Sequence, residues 1–270
     1  RVRIGGGAVA CCGIRDPGGL GRGAVTGGMA VYRVDLHHHV DTDPRDVIGY
    51  SAVELAGAAR GHGLDAIAIT PHDRLFDDPG AVARAKDLGV LLIPGIEKKI
   101  GGREVLILNV RPGEVAEDFS FDDLRRLRAA AGGRILTIAP HPFYPLRASV
   151  GRDLDRVADC IDAVEIAHLH GFGVDPNARA ERWARENGKP LVANSDTHDL
   201  ALLGRNFTEV DAGRLDAGEL FRAIRAGRCR PRTAPISFLG LMRFAFGVVL
   251  YQGAMRLALR DGRRGGRRIS

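Results

Sequence analysis

The chain has 270 residues, 45% of them hydrophobic and 27% charged, with a formal net charge of +6. That supplies one sizeable core and fits an ordinary soluble protein, which excludes a disordered or fibrous chain. Much of the positive excess lies in the tail from Arg260 to Arg268, so it reads as a solvated basic tail and implies no stable nucleic-acid partner.

Residues 1–29 are Gly-rich, lack hydrophobic periodicity and contain no apolar run of secretory length. They are expected to form a disordered leader, with Met29 just before the first strand as an alternative start. The four cysteines, Cys11, Cys12, Cys160 and Cys229, show neither a CxxC spacing nor a disulfide framework. A reducing, cytoplasmic location is the expectation.

From Tyr32 onward short β-like runs alternate with helical segments. Tyr32–Leu36 reads as a strand that ends in His37-His38-His39, and side chains two apart share a face. Ser51–His62 reads as a helix opened by a capping box, Ser51 with Glu54. Asp65–Thr70 is a buried strand running into Pro71-His72-Asp73, and Pro79–Leu88 a short helix. Val90–Ile96 is a strand running into Glu97, and Arg103–Val110 another. Phe121–Ala131 is helical, and the Arg134–Ala139 strand runs into Pro140-His141-Pro142. Asp153–Asp159 reads as helix, Ala163–Ala167 as strand and Pro176–Asn187 as helix. Pro190–Ala193 is the last expected strand and runs into Asn194-Ser195-Asp196-Thr197-His198. Leu215–Ala226 closes the fold as a helix. Such alternation predicts a largely parallel sheet with crossovers, closed as a barrel.

Imidazoles and carboxylates thus follow the carboxyl ends of successive strands, where barrels gather their chemistry. The mixture suits zinc, manganese or iron(II) better than magnesium alone. No nucleophile elbow, GxxxxGK[ST] or GxGxxG after a strand is present, which removes covalent-hydrolase and nucleotide-fold readings.

Asp-Leu-His-His-His, Ala-Ile-Thr-Pro-His-Asp, Pro-Gly-Ile-Glu with His-Pro downstream, and Ser-Asp-Thr-His occur in this order. Together they resemble the PHP (polymerase and histidinol phosphatase) metallophosphoesterases, from about Tyr32 to Arg232. The resemblance implies a distorted (β/α)7 barrel over 30–232, two or three divalent metal ions (Mn, Zn or Fe), and hydrolysis of a phosphate ester by metal-activated hydroxide. It implies that His37, His39 and Asp196 hold one metal, and that Glu97 bridges to a second, shared with His141. His72 and His198 would hold a third with an acid from the loop Asp41–Tyr50, where Asp43 and Asp46 are favoured over Asp41. Asp196 or His198 would assist the attacking water or protonate the leaving oxygen. One departure stands out: Glu104–Asn109 contains no histidine, where many members carry a further ligand.

For the substrate, a small phosphomonoester or nucleotide, Arg205 ranks first among the basic candidates Arg74, Lys98, Lys99, Arg147 and Arg205. His168, with His170, could line the pocket. The apolar stretch 236–255 within 233–270 is expected to be a helix packed on the barrel or in a dimer interface, in preference to one lying on an anionic membrane surface. The alternatives to a phosphoesterase are an amidohydrolase-type C–N hydrolase and a non-catalytic metal-binding barrel.

Overall fold

The computed structural model describes residues 28–144, 148–167 and 175–234. Nearly all of the expected leader and the whole 236–255 segment lie outside these residues, as do Arg147, His168 and His170. In chain order the elements are β1 (Ala30–Asp35), α1 (Ala52–Gly61), β2 (Ala66–Ile69), α2 (Pro79–Asp87), β3 (Leu91–Ile100), β4 (Arg103–Leu108), α3 (Phe121–Ala131), β5 (Leu136–Ala139), α4 (Leu154–Val157), β6 (Ala163–Ile166), α5 (Asn177–Glu186), β7 (Leu191–Ala193), β8 (Phe207–Ala212), α6 (Ala217–Arg225) and β9 (Cys229–Arg232).

Local chemistry explains most of the boundaries. Ser51 accepts from the Glu54 N–H while the Glu54 side chain returns to the Ser51 N–H, the reciprocal cap expected at the start of α1. Asp78 with Pro79 opens α2, and a second reciprocal cap, Ser120 with Asp123, opens α3. Gly132 ends α3 in the left-handed region at φ 57°, a conformation open to glycine at little cost. β2, Ala-Ile-Ala-Ile, is buried along its whole length, as a parallel strand covered on both faces must be.

The nine strands form one sheet in the order β7-β6-β5-β4-β3-β2-β1-β8-β9. β1, β2 and β3 are mutually parallel, as are β5, β6 and β7. β4 runs antiparallel between the two groups, and β8 and β9 continue antiparallel beyond β1. The barrel expected from the sequence is therefore present as a mixed, nearly closed sheet with two strands more than were read. β7 and β8 are stitched by a side chain: Thr208 Oγ1 accepts from the Ala193 N–H at 2.8 Å and donates to the Ala193 carbonyl at 3.0 Å.

Val34, Leu36, Ile93, Leu106, Ile138 and Val192 fill the interior, joined by Leu220, Phe221 and Ile224 of α6. Two outer layers bury the strand faces under α1–α2 and under α3–α5. Gly95 is where β2, β3 and β4 crowd together. A Cβ there would lie 2.8 Å from Leu108 Cδ2 and 2.9 Å from Thr70 Cγ2. Thr70 is stiff and leads directly to His72. Gly95→Ala is expected to lower stability by about 1–3 kcal/mol, read by thermal melting of the metal-free protein. An unchanged melting temperature would show that the crowding relaxes freely. Among the described residues, no helix is long and apolar enough to cross a membrane.

Candidate metal centre

The carboxyl ends of the parallel strands open onto one mouth. Beyond β1 the chain stays extended, so His37 and His39 face the mouth while His38 turns away, its Nδ1 2.9 Å from the Ala68 carbonyl and its Nε2 3.1 Å from Asp35 Oδ2. The Leu36 N–H donates to Asn194 Oδ1, and the Ser195 N–H to Asp35 Oδ1, fastening the segment after β7 beside the segment after β1. The Tyr50 hydroxyl donates to the Thr197 carbonyl at 2.9 Å. His72, after β2, bridges to Glu97 in β3. His141 and Asp196 follow β5 and β7 with φ of 28° and 47°, a left-handed backbone that side chains rarely adopt. Such strain concentrates where a fold holds functional groups in fixed positions.

Four donors converge most tightly. His37 Nε2 and His39 Nε2 are 3.3 Å apart. Each lies 3.5 Å from Glu97 Oε2, and they are 3.5 and 3.3 Å from Asp196 Oδ1. Ligands about 2.0–2.1 Å from a tetrahedral zinc lie roughly 3.3 Å from one another. The spacing of His37, His39 and Asp196 therefore matches three corners of a metal shell, with Glu97 Oε2 beside both imidazoles.

A second group adjoins it. His72 Nε2 is 3.1 Å from Glu97 Oε2, His72 Nδ1 is 3.6 Å from Asp46 Oδ2, and His198 Nε2 is 3.1 Å from the same Asp46 oxygen. His141 Nε2 is farther out, 3.7 Å from Glu97 Oε1 and 3.9 Å from Asp196 Oδ2. Among the described residues, Glu97 Oε1 and His141 Nδ1 are buried without a hydrogen-bond partner. A buried polar atom left in that state is costly unless something else satisfies it.

Electrostatics point the same way. Burial alone would lower the imidazoles, yet Asp196, Glu165 and Glu97 around His37 raise it well above its ordinary value. Against the same opposition from burial, Glu97 and Asp196 push His141 up to about 9, and Asp46 and Asp196 push His198 up to about 9. Glu97 and Asp196, which burial would raise, are held well below the carboxylate range, His37 foremost in both cases. A crowd of carboxylates holds protons on its histidines because it lacks other positive charge. Divalent cations satisfy the same demand, so the donor set fits them.

Asp43 and Asp46, left open by sequence, differ in their partners. Asp43 accepts from His39 Nδ1 at 2.7 Å, from His72 Nδ1 at 3.0 Å, and from the backbone N–H groups of Arg45, Asp46 and His72. Asp46 instead faces His198 and His72 with Oδ2. Asp41 is exposed.

The basic candidates among the described residues make no ion pair with the cluster's histidines and acids. Gly204 packs against His62 at the end of α1, and Arg205 beside it is exposed and makes no hydrogen bond or ion pair with the cluster among the described residues. Lys98 is buried and donates to the Glu117 carbonyl at 2.8 Å, while Arg74 and Lys99 are exposed.

Sequence reading missed Glu165, in β6. Fully buried, it sits 3.0 Å from His37 Nδ1, and accepts from Asn194 Nδ2 at 2.7 Å and from the His141 N–H at 3.2 Å. A carboxylate on the far nitrogen of a metal-binding histidine fixes its tautomer and raises its basicity. Glu165→Gln is expected to weaken metal binding by about 10–100-fold, measured by titration of the metal-free protein. Wild-type affinity in that variant would show that Glu165 serves packing only. The signal was one acid in an otherwise apolar strand, Ala-Val-Glu-Ile.

Among curated proteins no sequence matches the chain. The family model described as PHP-associated matches residues 175–229. Solved structures that share the fold include the following three. A two-domain protein from Bacteroides vulgatus containing a predicted PHP-like metal-dependent phosphoesterase is 19% identical with a TM-score of 0.57, over 77% of this chain and 66% of that one. PsfC from Pseudomonas syringae is 16% identical with a TM-score of 0.57, over 84% of this chain and 100% of that one. The lesion-specific endonuclease PfuEndoQ from Pyrococcus furiosus is 18% identical with a TM-score of 0.54, over 75% of this chain and 58% of that one. This chain thus spans less than two thirds of the first and third of these proteins. The barrel thus has the fold of a protein containing a predicted PHP-like phosphoesterase, and the PHP-associated family model matches the segment from α5 to the start of β9.

Proposed function

We propose that the protein is a metal-dependent phosphoesterase that hydrolyses a small phosphomonoester or a nucleotide. The observation that carries this reading is the near-equal spacing of His37, His39 and Asp196 at the barrel mouth, with Glu97 Oε2 3.5 Å from both imidazoles. Fold relatives described as a metal-dependent phosphoesterase and as a lesion-specific endonuclease support phosphate-ester chemistry.

His37, His39, Glu97 and Asp196 would hold one divalent ion. Asp46, His72 and His198 would hold another next to Glu97, and His141 with Glu97 Oε1 offers a poorer third place. Bound ions supply Lewis-acid charge, which acidifies water and offsets the charge that develops on a phosphate in the transition state. Asp43 and Glu165 keep the imidazoles of His39, His72 and His37 in orientation and in one tautomer. Asp196 and His198 are about a quarter exposed, more so than His37, His39, His72, His141 and Glu97, so they can meet the substrate. Asp196 Oδ1 faces His37 and His39, and Oδ2, 3.9 Å from His141 Nε2, would assist the attacking water. With Asp46, His72 and Glu97 holding the second ion without it, His198 would be available to return a proton to the leaving oxygen. The free thiols of Cys160 and Cys229 support a reducing, cytoplasmic setting.

The test is metal analysis together with turnover of p-nitrophenyl phosphate and bis(p-nitrophenyl) phosphate, after chelator treatment and reloading with manganese or zinc. At least two ions per chain, with turnover that returns on reloading, are expected. Ions without turnover of either ester, or of a panel of nucleotides, would favour a C–N hydrolase or a non-catalytic barrel. A protein that takes up no ion would overturn the reading.

A further inference from the structure

We propose that Glu104 is a metal ligand, completing with His72 and Glu97 a site for one of the ions. This rests on the metal-dependent reading above. β4 presents Glu104, Leu106 and Leu108 on one face, because side chains alternate along a strand. The register with β3 places Leu106 directly opposite Glu97 and Glu104 opposite Lys99, two residue pairs nearer the mouth and next on the same face. Leu106 is fully buried and offers no donor, so the β4 side of Glu97 is apolar at that rung and carboxylate at the next. The ligand atoms of His72, Glu97 and Glu104 lie within 4.8 Å of one another. Among the described residues, Glu97 Oε1 is buried without a hydrogen-bond partner in the same group. Glu104 itself is only 7% exposed, and a carboxylate is rarely buried without a cation beside it.

The cation beside Glu104 in the structure is Arg45, whose Nη1 is 3.0 Å from Glu104 Oε1 and whose other branch holds Asp73. Arg45 lies on the loop between Asp43 and Asp46, so the guanidinium bridges the rim of the same mouth. A carboxylate has lone pairs for more than one partner, and Glu104 can meet an ion and the guanidinium together. One imidazole and two carboxylates also suit manganese, zinc or iron(II).

The two readings separate in Mn²⁺ titrations of chelator-stripped protein, followed by calorimetry and by metal analysis. Three proteins are compared: wild type, Glu104→Gln and Arg45→Ala. Glutamine keeps the shape of the side chain, and Arg45→Ala breaks the same ion pair from the other end. As a ligand, Glu104 makes the Glu104→Gln variant lose one ion per chain or bind it at least tenfold more weakly, while Arg45→Ala keeps the wild-type number. Wild-type stoichiometry and affinity in Glu104→Gln would overturn the proposal. Equal loss in both variants would also overturn it, because the ion pair alone would then explain the effect. A wild type that binds no manganese would instead bring down the underlying metal reading.

Discussion

Alanine at both His37 and His39 is expected to remove at least one bound ion and to lower phosphoester turnover by roughly a thousandfold or more. Both imidazoles are fully buried, and their Nε2 atoms form one edge of the donor set that also includes Glu97 and Asp196. Without them two carboxylate oxygens remain, and that pair cannot build a closed shell for zinc, manganese or iron. The substitutions also take away the groups that most strongly hold Glu97 and Asp196 ionised. Burial then favours protonating these acids, which weakens their grip on any remaining ion. Metal content, rates at saturating manganese and a far-ultraviolet dichroism spectrum should be measured on the same preparations. A folded double variant that retains the full complement of ions would refute the assigned ligands.

The second large effect lies at the opposite end of the barrel. Asp162, just before β6, accepts from the Thr137 N–H at 3.0 Å, from Arg225 Nη2 at 3.0 Å and from Arg128 Nη2 at 2.8 Å. It thereby ties β5, α3 and α6 to β6. Burial would raise this carboxyl, but hydrogen bonds from Arg128 and Arg225 outweigh burial and hold it at about 2. Asp162→Ala would leave two half-buried guanidinium groups and the Thr137 N–H without their acceptor, at an expected cost of about 3 kcal/mol. Denaturant unfolding measures it, and a loss below about 0.5 kcal/mol would show that water replaces the carboxylate freely. The same group makes stability depend on pH. Its folded value lies below the roughly 3.9 of an unfolded aspartate, so its contribution is complete above about pH 4 and fades as the pH falls towards 2. The gap corresponds to about 2.5 kcal/mol, which Asp162→Asn should remove from the acid limb of the stability curve.

Strand ends were readable because the chemistry is local: an apolar run followed by His or Asp announces itself in one dimension. Thus His37, His39, His72, Glu97, His141, Asp196 and His198 could be named from sequence and are brought to one mouth. Glu165 and Asp35 could not, because their significance depends on partners more than a hundred residues away, His37 and Ser195. Arg205 was ranked by closeness in sequence to His198, but the intervening turn carries it to the outer end of α1. β8 was overlooked although Phe-Thr-Glu-Val-Asp-Ala alternates as a half-buried strand does, its acids resembling loop residues. β9 contains Pro231, which fits an edge strand and argues against a central one. The orientation of β4 was equally hidden, and it decides that Leu106 and not Asn109 stands beside Glu97.

The strand that bears the two central histidines is enclosed by partners made at very different times. β2 follows β1 closely in the chain, whereas the other neighbour, β8, pairs Ala30 with Ala212. During synthesis, one edge of β1 must therefore stay open until nearly the whole barrel has been made. Pairings this distant in sequence slow folding and leave an edge exposed to other chains in the interval. Maturation of the centre should accordingly lag behind the appearance of helical signal in refolding, with metal uptake reporting the final closure of β1 against β8.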